Sequence, residues 1–467
     1  MTNPIDLPRN ETGIAAAIGV LKQQLGERLS TGEAIREQHG HTTTWTRNQP
    51  PDAVVFAQST QEVSEIVKVC ATHDVPIIPF GTGTSLEGHV NAPAGWISID
   101  LMGMDKVLAV HPEDLDCTVQ PGVTREALNT HLRDKGLFFP IDPGANASLG
   151  GMAATRASGT NAVRYGTMKD NVLALEAVMA DGSIIRTARR ARKSSAGYDL
   201  TRLLVGSEGT LGLITEITLK LQGIPEVISA ARCSFPTVAA ACEAVMAVIQ
   251  YAIPVARIEL LDTVQVRASN AYSGLDLPET PLLLLEFHGS AAGVAEQVET
   301  FGDIAGAFGA SGYTATTTLE ERNALWKARH DAYWAALQLR PGARGLSTDV
   351  CVPISRLAEC VAAAQAKLDA LGFVAPIVGH VGDGNFHSLV LVDESSEDEL
   401  AKAAGYVSWL NDLAISMDGT CTGEHGIGQG KMPYLRRELG AAVDVMGAVK
   451  MALDPQNILN PGKVFSL

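Results

Sequence analysis

Aromatic residues are scarce in this chain of 467 residues, of which they make up only 5%. So few aromatic side chains argue against a surface on which nucleic-acid bases stack. Basic residues are outnumbered as well: 36 Lys and Arg face 52 Asp and Glu, which gives a net charge of −16. An acidic surface repels phosphate backbones and anionic lipid headgroups. No nucleic-acid partner is therefore expected, and an anionic small substrate would need a local cationic site.

Cysteines and long apolar runs are also few. The seven cysteines include no CxxC pair, and an odd number suits neither a disulfide framework nor a zinc ribbon, so we expect most of them in the core. The longest apolar window, 244–256, is broken by Gln250 and Pro254 and is too short to span a bilayer. The N-terminus lacks the positive charge of a signal peptide. The sequence predicts a cytoplasmic location, with at most peripheral contact at the inner face of a membrane.

What is present indicates a folded chain of two or three domains, since 46% of the residues are hydrophobic and one domain takes about 150 residues. In the first half, Ser59 and Glu62 have the spacing of a capping box ahead of an amphipathic helix. Strands are predicted at 76–80, 96–101 and 213–221, the last one half-buried, and a hairpin at 173–179 and 184–187. We place a domain boundary near 223–225.

The second half alternates helical and strand patterns. Alanine-rich helices are predicted at 237–252, 290–308, 318–339, 357–371 and 397–416. Strands are predicted at 282–287, 347–352, 376–380 and 387–392. The last turn-rich segment, 454–463, is predicted to pack back on the body of the protein.

Three loops rich in glycine and small residues stand out, at 79–88, 148–161 and 206–212. Such loops let a flat ligand approach the backbone, and successive N–H groups can bind a phosphate. The first loop is not GxGxxG, lacks a clean βαβ unit and has no Gly-Lys-Ser/Thr, so neither a nicotinamide Rossmann motif nor a P-loop is indicated. Together they predict a dinucleotide site; the alternative is three unrelated turns.

Two further segments carry residues suited to catalysis. His380 and His387 flank a glycine-rich turn between two predicted strands, and Glu424 could complete a His/His/carboxylate metal site with open positions. His425 then remains as an acid or base, unless these histidines are structural. On a helix at 325–331, Arg329 or Lys327 could bind a carboxylate, unless these are ordinary solvated charges.

Taken together, PFGTGTSLEGH (79–89), GSEGTLGLITEITLKL (206–221), GHVGDGNFH (379–387) and GEHGIG (423–428) resemble the FAD-linked D-2-hydroxyacid dehydrogenase family. That family includes D-lactate dehydrogenases, D-2-hydroxyglutarate dehydrogenases and the flavin subunit of glycolate oxidase. The resemblance implies an α+β fold of the vanillyl-alcohol-oxidase type. It also implies an N-terminal helical segment (1–44), a PCMH-type FAD-binding domain (45–225), an α+β cap domain with an antiparallel sheet (226–420) and a C-terminal segment returning to the flavin (421–467).

The resemblance also implies the roles of individual residues. FAD, expected to be noncovalent, is assigned to Pro79, Gly81, Thr82, Gly83, Thr84, Ser85, Leu86, Pro143, Gly144, Gly151, Ala154, Thr155, Ser158, Gly159, Gly209, Ile214 and Asn460. A zinc or manganese ion is assigned to His380, His387 and Glu424. His425 is the implied base, and substrate binding is assigned to Arg329, Lys327 and Asn385.

The implied reaction is the FAD- and metal-dependent oxidation of D-lactate or a related monocarboxylic 2-hydroxyacid, with electrons passed to a quinone, a cytochrome or an electron-transfer flavoprotein. A dicarboxylate is disfavoured because Ser347 stands where the hydroxyglutarate enzymes place a lysine. A hydroxyglutarate or glycolate enzyme stays an alternative, as do a metal-free enzyme for another alcohol, a non-catalytic flavin subunit and a flavin-free metallohydrolase. A homodimer is left open.

Overall fold

A computed structural model describes residues 7–40, 42 and 46–467. The chain forms two compact units. Unit 1 comprises the described residues of Met1–Ser158 together with Gly166–Ile224 and Glu424–Leu467, and unit 2 comprises Gly159–Tyr165 and Pro225–Gly423. The four segments expected from the sequence stay a prediction. None of the helices in the described part of the chain combines the length and apolar character needed to span a bilayer.

The helices and strands are numbered in chain order. The helices are α1 (Glu11–Leu25), α2 (Glu33–Gly40), α3 (Thr60–Thr72), α4 (Arg125–Leu132), α5 (Leu149–Thr155), α6 (Ala162–Tyr165), α7 (Met168–Asn171), α8 (Leu200–Leu204), α9 (Val238–Gln250), α10 (Thr263–Ser273), α11 (Ala291–Ala307), α12 (Leu319–His330), α13 (Ala332–Leu337), α14 (Leu357–Leu371), α15 (Glu397–Ser416), α16 (Met432–Leu439) and α17 (Ala442–Leu453). The strands are β1 (Leu29–Ser30), β2 (Ala53–Phe56), β3 (Ile77–Phe80), β4 (Ile97–Asp100), β5 (Val107–His111), β6 (Asp116–Val119), β7 (Leu137–Phe138), β8 (Val172–Val178), β9 (Ile184–Arg186), β10 (Leu213–Lys220), β11 (Gln222–Gly223), β12 (Val227–Ser234), β13 (Val255–Leu261), β14 (Leu282–Gly289), β15 (Ser311–Thr316), β16 (Arg344–Ser347), β17 (Val350–Cys351), β18 (Ile377–His380) and β19 (Asn385–Val392).

The first sheet of unit 1 has the order β1-β2-β4-β3, and both β2 and β3 run parallel to β4. Because α3 connects β2 to β3, this region does contain a βαβ connection, and the expectation that it lacks one was wrong. The predicted helix is confirmed: the Ser59 side chain accepts from the Glu62 backbone N–H at 3.2 Å. The capping box is incomplete, since Glu62 accepts instead from the backbone N–H of Gln58.

The second sheet of unit 1 is antiparallel, with the order β5-β6-β10-β8-β9. It contains the predicted hairpin, β8 with β9. The predicted strand at 213–221 is β10, but it is more deeply buried than expected because Thr218 is covered and its hydroxyl meets that of Thr118 at 3.2 Å. The tail packs back as predicted: Ile77 N–H donates to Ile458 O, and Asn460 N–H donates to Ile77 O.

Unit 2 is built on an eight-stranded sheet with the order β15-β12-β14-β13-β18-β19-β16, and β17 pairs with β19. The helix predicted at 318–339 is two helices, α12 and α13, because Asp331 between them leaves helical geometry (φ −79°, ψ 0°). The strand predicted at 347–352 is likewise interrupted between β16 and β17, where Thr348 and Asp349 pair with side chains of β19. Six of the seven cysteines are buried, as expected, and Cys351 is partly exposed.

Candidate cofactor and active-site residues

The three small-residue loops are adjacent in unit 1, apart from residues 159–161 of the second loop, which belong to unit 2. The first loop meets the second where Ser148 N–H donates to the Thr82 hydroxyl at 3.4 Å. The second meets the third through two backbone hydrogen bonds of 2.9 Å, from Gly206 to Ala153 and from Glu208 to Ala154. The residues assigned to FAD lie on or beside these loops within unit 1, except Gly159, which begins the unit 2 segment.

These loops suit a ligand with many polar atoms. The hydroxyl oxygens of Ser85 and Ser148 are buried and have no hydrogen-bond partner among the described residues. Buried hydroxyls are normally paired, so two unpaired ones on neighbouring loops fit a bound group that supplies the partners. Gly83 has a φ of +67°, a backbone conformation that side chains disfavour and that turns successive N–H groups toward one another.

The third loop comes close to the first strand and to the tail. A side chain at Gly209 would put its Cβ 2.4 Å from Pro79 Cγ, so only glycine fits there. Asn460 donates its side-chain amide to the carbonyls of Glu208, at 2.8 Å, and His89, at 3.2 Å. Ile214, also assigned to FAD, is buried at the start of β10. The tail and two of the loops are thereby joined in one network.

Two buried carboxylates of unit 1 lie beside the segment that carries His425, and that of Glu208 holds its backbone. Glu208 accepts from the backbone N–H of Ile427 at 2.7 Å and of Gly428 at 2.8 Å. Burial by itself raises the pKa of Glu208, but His89, 3.3 Å away, and these two N–H donors outweigh it and hold the pKa below its ordinary value. The second carboxylate is that of Glu87, 3.9 Å from His425 Nδ1.

In unit 2, His380 and His387 lie on the same face of the β18–β19 hairpin. The register pairs His380 with Asn385 and Val378 with His387, so the two imidazoles are diagonal neighbours. Their ring centroids are 5.5 Å apart, and their ligand nitrogens lie within 4.8 Å of one another. The spacing predicted from the sequence thus brings the two side chains together.

Hydrogen bonds set the tautomer of both imidazoles. His387 Nδ1 lies 2.8 Å from the Thr348 carbonyl, which can only accept, so Nδ1 carries the proton. His380 Nδ1 lies 2.7 Å from Glu259 Oε1 and donates in the same way. In the neutral form of each ring, Nε2 is then the nitrogen with a lone pair, which is how metal-binding histidines are commonly prepared. The donor set therefore fits a divalent metal.

Arg329, on α12, is bound to the same carboxylate. Its Nε and Nη2 lie 2.8 Å and 2.7 Å from Glu259 Oε2, and Glu259 is fully buried. Burial alone raises the pKa of Glu259, but the His380 imidazole and the Arg329 guanidinium outweigh it and hold the pKa below its ordinary value. Lys327 is not part of this cluster: its side chain is 70% exposed and pairs with Asp331. Its role as a substrate ligand has no support in this geometry.

Asn385 is oriented by its amide nitrogen. Nδ2 donates to Asp349 Oδ1 and to the Val350 carbonyl, both at 2.8 Å. Oδ1 is buried and has no hydrogen-bond partner among the described residues. An acceptor left in this state is suited to a ligand that donates a hydrogen bond.

Sequence reasoning missed the carboxylates that hold these groups: Glu87, Glu208, Glu259 and Asp349. One signal was available for Glu259, since an acidic residue interrupts the apolar run VARIELL of β13. Lys, Glu, Arg and Asp are almost never fully buried unless they are paired, so an acid in a buried strand implies a partner. The chain gives no comparable local signal for the other three.

Comparison with known proteins gives the family. Residues 224–464 match the model described as FAD linked oxidases, C-terminal domain, and residues 51–188 match that of an FAD binding domain. The chain is 53% identical over 445 residues to "Probable D-lactate dehydrogenase, mitochondrial" of Danio rerio, covering 94% of this chain and 90% of that protein. The chain belongs to the FAD-linked D-2-hydroxyacid dehydrogenase family.

Other members are similar over comparable lengths. "D-lactate dehydrogenase [cytochrome], mitochondrial" of Arabidopsis thaliana is 47% identical, with 96% of this chain and 79% of that protein covered. "Glycolate oxidase subunit GlcD" of Bacillus subtilis is 36% identical, with 94% of each covered. Membership makes the protein an FAD-dependent oxidoreductase, as predicted, and excludes the flavin-free metallohydrolase. The expected cytoplasmic location was wrong, because the names of the first two relatives, and of two yeast relatives, are mitochondrial.

Solved structures confirm the fold of this family member. A structure of p-cresol methylhydroxylase matches with a TM-score of 0.81 at 18% identity, covering 98% of each chain. 4-Ethylphenol oxidase from Gulosibacter chungangensis matches with a TM-score of 0.79 at 17% identity, covering 99% of each. The predicted α+β fold of the vanillyl-alcohol-oxidase type is therefore confirmed. The roles assigned to single residues stay predictions.

Proposed function

We propose that this dehydrogenase oxidises D-lactate, or a closely related 2-hydroxy monocarboxylate, to the 2-oxoacid. The observation that carries the proposal is the position of Arg329 beside His380, with Glu259 between them. A guanidinium binds a carboxylate in a planar fork, and an imidazole next to it can hold a metal at the neighbouring hydroxyl. The names of the Danio rerio and Arabidopsis thaliana relatives support lactate as the substrate.

We further propose that a zinc or manganese ion is held by His380, His387 and Glu424. The shared tautomer of the two histidines supports the first two ligands, and the family resemblance supports the third. When bound, FAD accepts a hydride and the metal acts as a Lewis acid on the substrate hydroxyl. Both metals accept mixed nitrogen and oxygen ligands, so the donor set does not choose between them.

The protein's own groups then divide the work. Arg329 binds the substrate carboxylate, and the Asn385 side-chain oxygen accepts a hydrogen bond from the bound acid. His425 receives the hydroxyl proton at a ring nitrogen. Its segment is held by backbone hydrogen bonds to Glu208, so the imidazole starts from a defined backbone position.

We propose a cytochrome as the electron acceptor, in keeping with the name of the Arabidopsis thaliana relative. A quinone and an electron-transfer flavoprotein are the alternatives. The test of the reaction is to mix the FAD-loaded protein without oxygen with D-lactate, L-lactate, D-2-hydroxyglutarate and glycolate, and to follow loss of flavin absorbance. D-Lactate should bleach the flavin fastest. Faster bleaching by hydroxyglutarate or glycolate would identify that acid as the substrate in place of D-lactate. No bleaching by any acid would indicate a non-catalytic flavin subunit.

Oxidised electron acceptors then test the second half of the reaction, the reoxidation of the reduced flavin. Adding cytochrome c, a soluble quinone or an electron-transfer flavoprotein to the reduced protein should restore the flavin absorbance fastest for the physiological class. The metal content of the purified protein is measured in parallel. A protein that is fully active with D-lactate without stoichiometric metal would refute the metal part of the proposal, whereas a metal-free protein whose flavin no 2-hydroxyacid bleaches would favour an enzyme for another alcohol on the same fold.

A further inference from the structure

Among the described residues of unit 2, Glu259 is the one carboxylate that binds both Arg329 and His380. Its two oxygens have separate partners. Oε1 accepts from His380 Nδ1 at 2.7 Å, and Oε2 accepts from Arg329 Nε at 2.8 Å and Nη2 at 2.7 Å. Neither partner is near Glu259 in sequence, since they lie 121 and 70 residues away.

The sheet explains how Glu259 reaches both. Strand β13 pairs antiparallel with β18 in a register that sets Leu260 opposite Gly379. One position further along, Glu259 and His380 stand opposite each other on the two strands. Helix α12 contributes Arg329. With no exposed surface, Glu259 cannot exchange these partners for water, and an unpaired buried carboxylate would be very unfavourable. The carboxylate therefore fixes both partners together.

Each partner is fixed in a way that matters for its proposed role. Accepting from Nδ1 keeps the His380 lone pair on Nε2, the nitrogen proposed to bind the metal. On Arg329, Glu259 takes Nε and one side of Nη2, which leaves Nη1 and the other side of Nη2 for a carboxylate. We infer that Glu259 is a positioning residue that links the carboxylate-binding arginine to the metal-binding histidine.

This inference rests on the proposed function and adds to it a testable linkage. Changing one atom of Glu259 should weaken the binding of two chemically unrelated ligands, a metal and a carboxylate. In Glu259→Gln, the amide can present its oxygen to only one partner and must present its NH₂ to the other, which is also a donor. If the NH₂ faces His380, the proton of that ring moves to Nε2, where the metal is proposed to bind.

The same sheet offers a matched control. Glu286, on β14, is 4% exposed and accepts from His288 Nε2 at 2.7 Å, and Arg257 Nη1 lies 3.7 Å from it. This cluster has the same three residue types and similar burial. In this cluster His288 Nδ1 lies 2.7 Å from the Tyr165 hydroxyl, and neither Glu286 nor His288 is assigned to the reaction. Glu286→Gln removes a buried charge without touching a residue assigned to the reaction.

The experiment uses the full-length, FAD-loaded protein. Affinity for Zn²⁺ and for Mn²⁺ is measured by competition with a chelator. Affinity for a carboxylate is measured with propionate, which has the carboxylate of lactate but no hydroxyl, as an inhibitor of the metal-saturated enzyme. We expect Glu259→Gln to lower both affinities at least tenfold, within the range seen when partners of metal ligands are changed. Glu286→Gln should keep both within about twofold.

Two single-site variants separate the linkage from its parts. His380→Ala should lower metal affinity with propionate binding retained, and Arg329→Lys should do the reverse. Glu259→Gln with unchanged affinity for either ligand would overturn the linkage. So would an equal loss in Glu286→Gln, which would indicate a general effect of removing buried charge.

Failure of the proposed function is recognised separately, on the wild type. A wild-type protein that binds no metal removes the metal site and this inference with it, whereas a metal-binding wild type with a normal Glu259→Gln variant overturns the inference alone. If Glu259→Gln does not fold, Glu259→Asp replaces it: the charge remains, but the shorter side chain cannot reach both partners, and at least one affinity should still fall tenfold.

Discussion

Glu208 in unit 1 and Glu259 in unit 2 are both buried carboxylates with a pKa below the ordinary value, but they are satisfied by different kinds of donor. Glu208 accepts from the backbone N–H groups of Ile427 and Gly428, with a histidine beside it. Glu259 accepts only from side chains, those of Arg329 and His380. Backbone donors hold the course of a chain segment, whereas side-chain donors hold the orientation of single functional groups.

This difference teaches where function and folding are separable. In unit 1, the groups proposed to bind FAD and to move the proton stand on loops whose backbones are tied together, so substitutions there alter a loop. In unit 2, the proposed ligands stand on strands and a helix, so a substitution alters one side chain on an intact scaffold. His425 combines the two cases, because it is a functional side chain that stands on a loop held by its backbone.

The largest effect is expected for His425→Ala. The backbone contacts of Glu208 remain, so the loop and the FAD should be retained, and the rate of flavin reduction by D-lactate should fall roughly 10²–10⁴-fold if the imidazole is the general base. Anaerobic stopped-flow absorbance measures this rate, with metal content checked in the same sample. His131→Ala, at an exposed position of α4, is the control. Flavin reduction at the wild-type rate would refute the role of His425 as the general base. Complete loss of metal would indicate that His425 is a metal ligand.

Arg329→Ala comes next and tests the side-chain-held part of the comparison. Loss of the guanidinium should lower kcat/KM for D-lactate. The corresponding activation free energy should rise by roughly 2–4 kcal/mol, the scale of removing one partner of a buried charged pair. Lys327→Ala, two residues earlier on the same helix and largely exposed, should leave kcat/KM unchanged. Steady-state kinetics with saturating acceptor measures both. If Lys327→Ala is as damaging as Arg329→Ala, the carboxylate is bound elsewhere on α12.

Gly83→Val tests the backbone-held part. Valine disfavours the φ of +67° at this position and would place a branched side chain where the loop is proposed to approach phosphate. Less FAD should therefore copurify with the variant. Gly136→Val is the matched control. Gly136 has a φ of +68°, so the valine variant suffers similar backbone strain, but this position lies away from the three loops. Full FAD occupancy in Gly83→Val would refute the assignment of this loop.

The sequence predicts the features that depend on local patterns and misses those that depend on distant partners. Local patterns located most of the helices and strands, and the spacing of His380 and His387 about a tight turn was enough to predict that they meet. The interruption at Thr348 was not predictable, because the partners of this residue, His387 and Ser388, lie far away in the chain. Glu208 and Glu259 were missed for the same reason: a buried acid is explained by donors that only the fold brings to it.

The smallest effect, on stability, is expected for Glu208→Gln. The amide would turn its NH₂ toward a backbone N–H, and one unpaired buried donor costs about 1–3 kcal/mol, or roughly 2–10 °C in Tm for a unit of this size. Thermal unfolding of the FAD-loaded protein at pH 7 measures the difference from wild type. Glu65→Gln, at an exposed position of α3, should leave Tm unchanged. An unchanged Tm in Glu208→Gln would show that the carboxylate does not hold the loop.

The pH dependence of this difference follows from the sign of the pKa shift. Because the folded-state pKa of Glu208 is below its ordinary value of 4.5, its ionised form is favoured by folding, and the stabilisation is fully present above that value. It is lost as the pH falls from about 4.5 through the folded-state pKa. The gap in Tm between wild type and Glu208→Gln should therefore narrow as the pH falls below about 4.5. A gap that widens in acid would mean that Glu208 is protonated in the folded protein, and that its loop is held by a neutral carboxyl group.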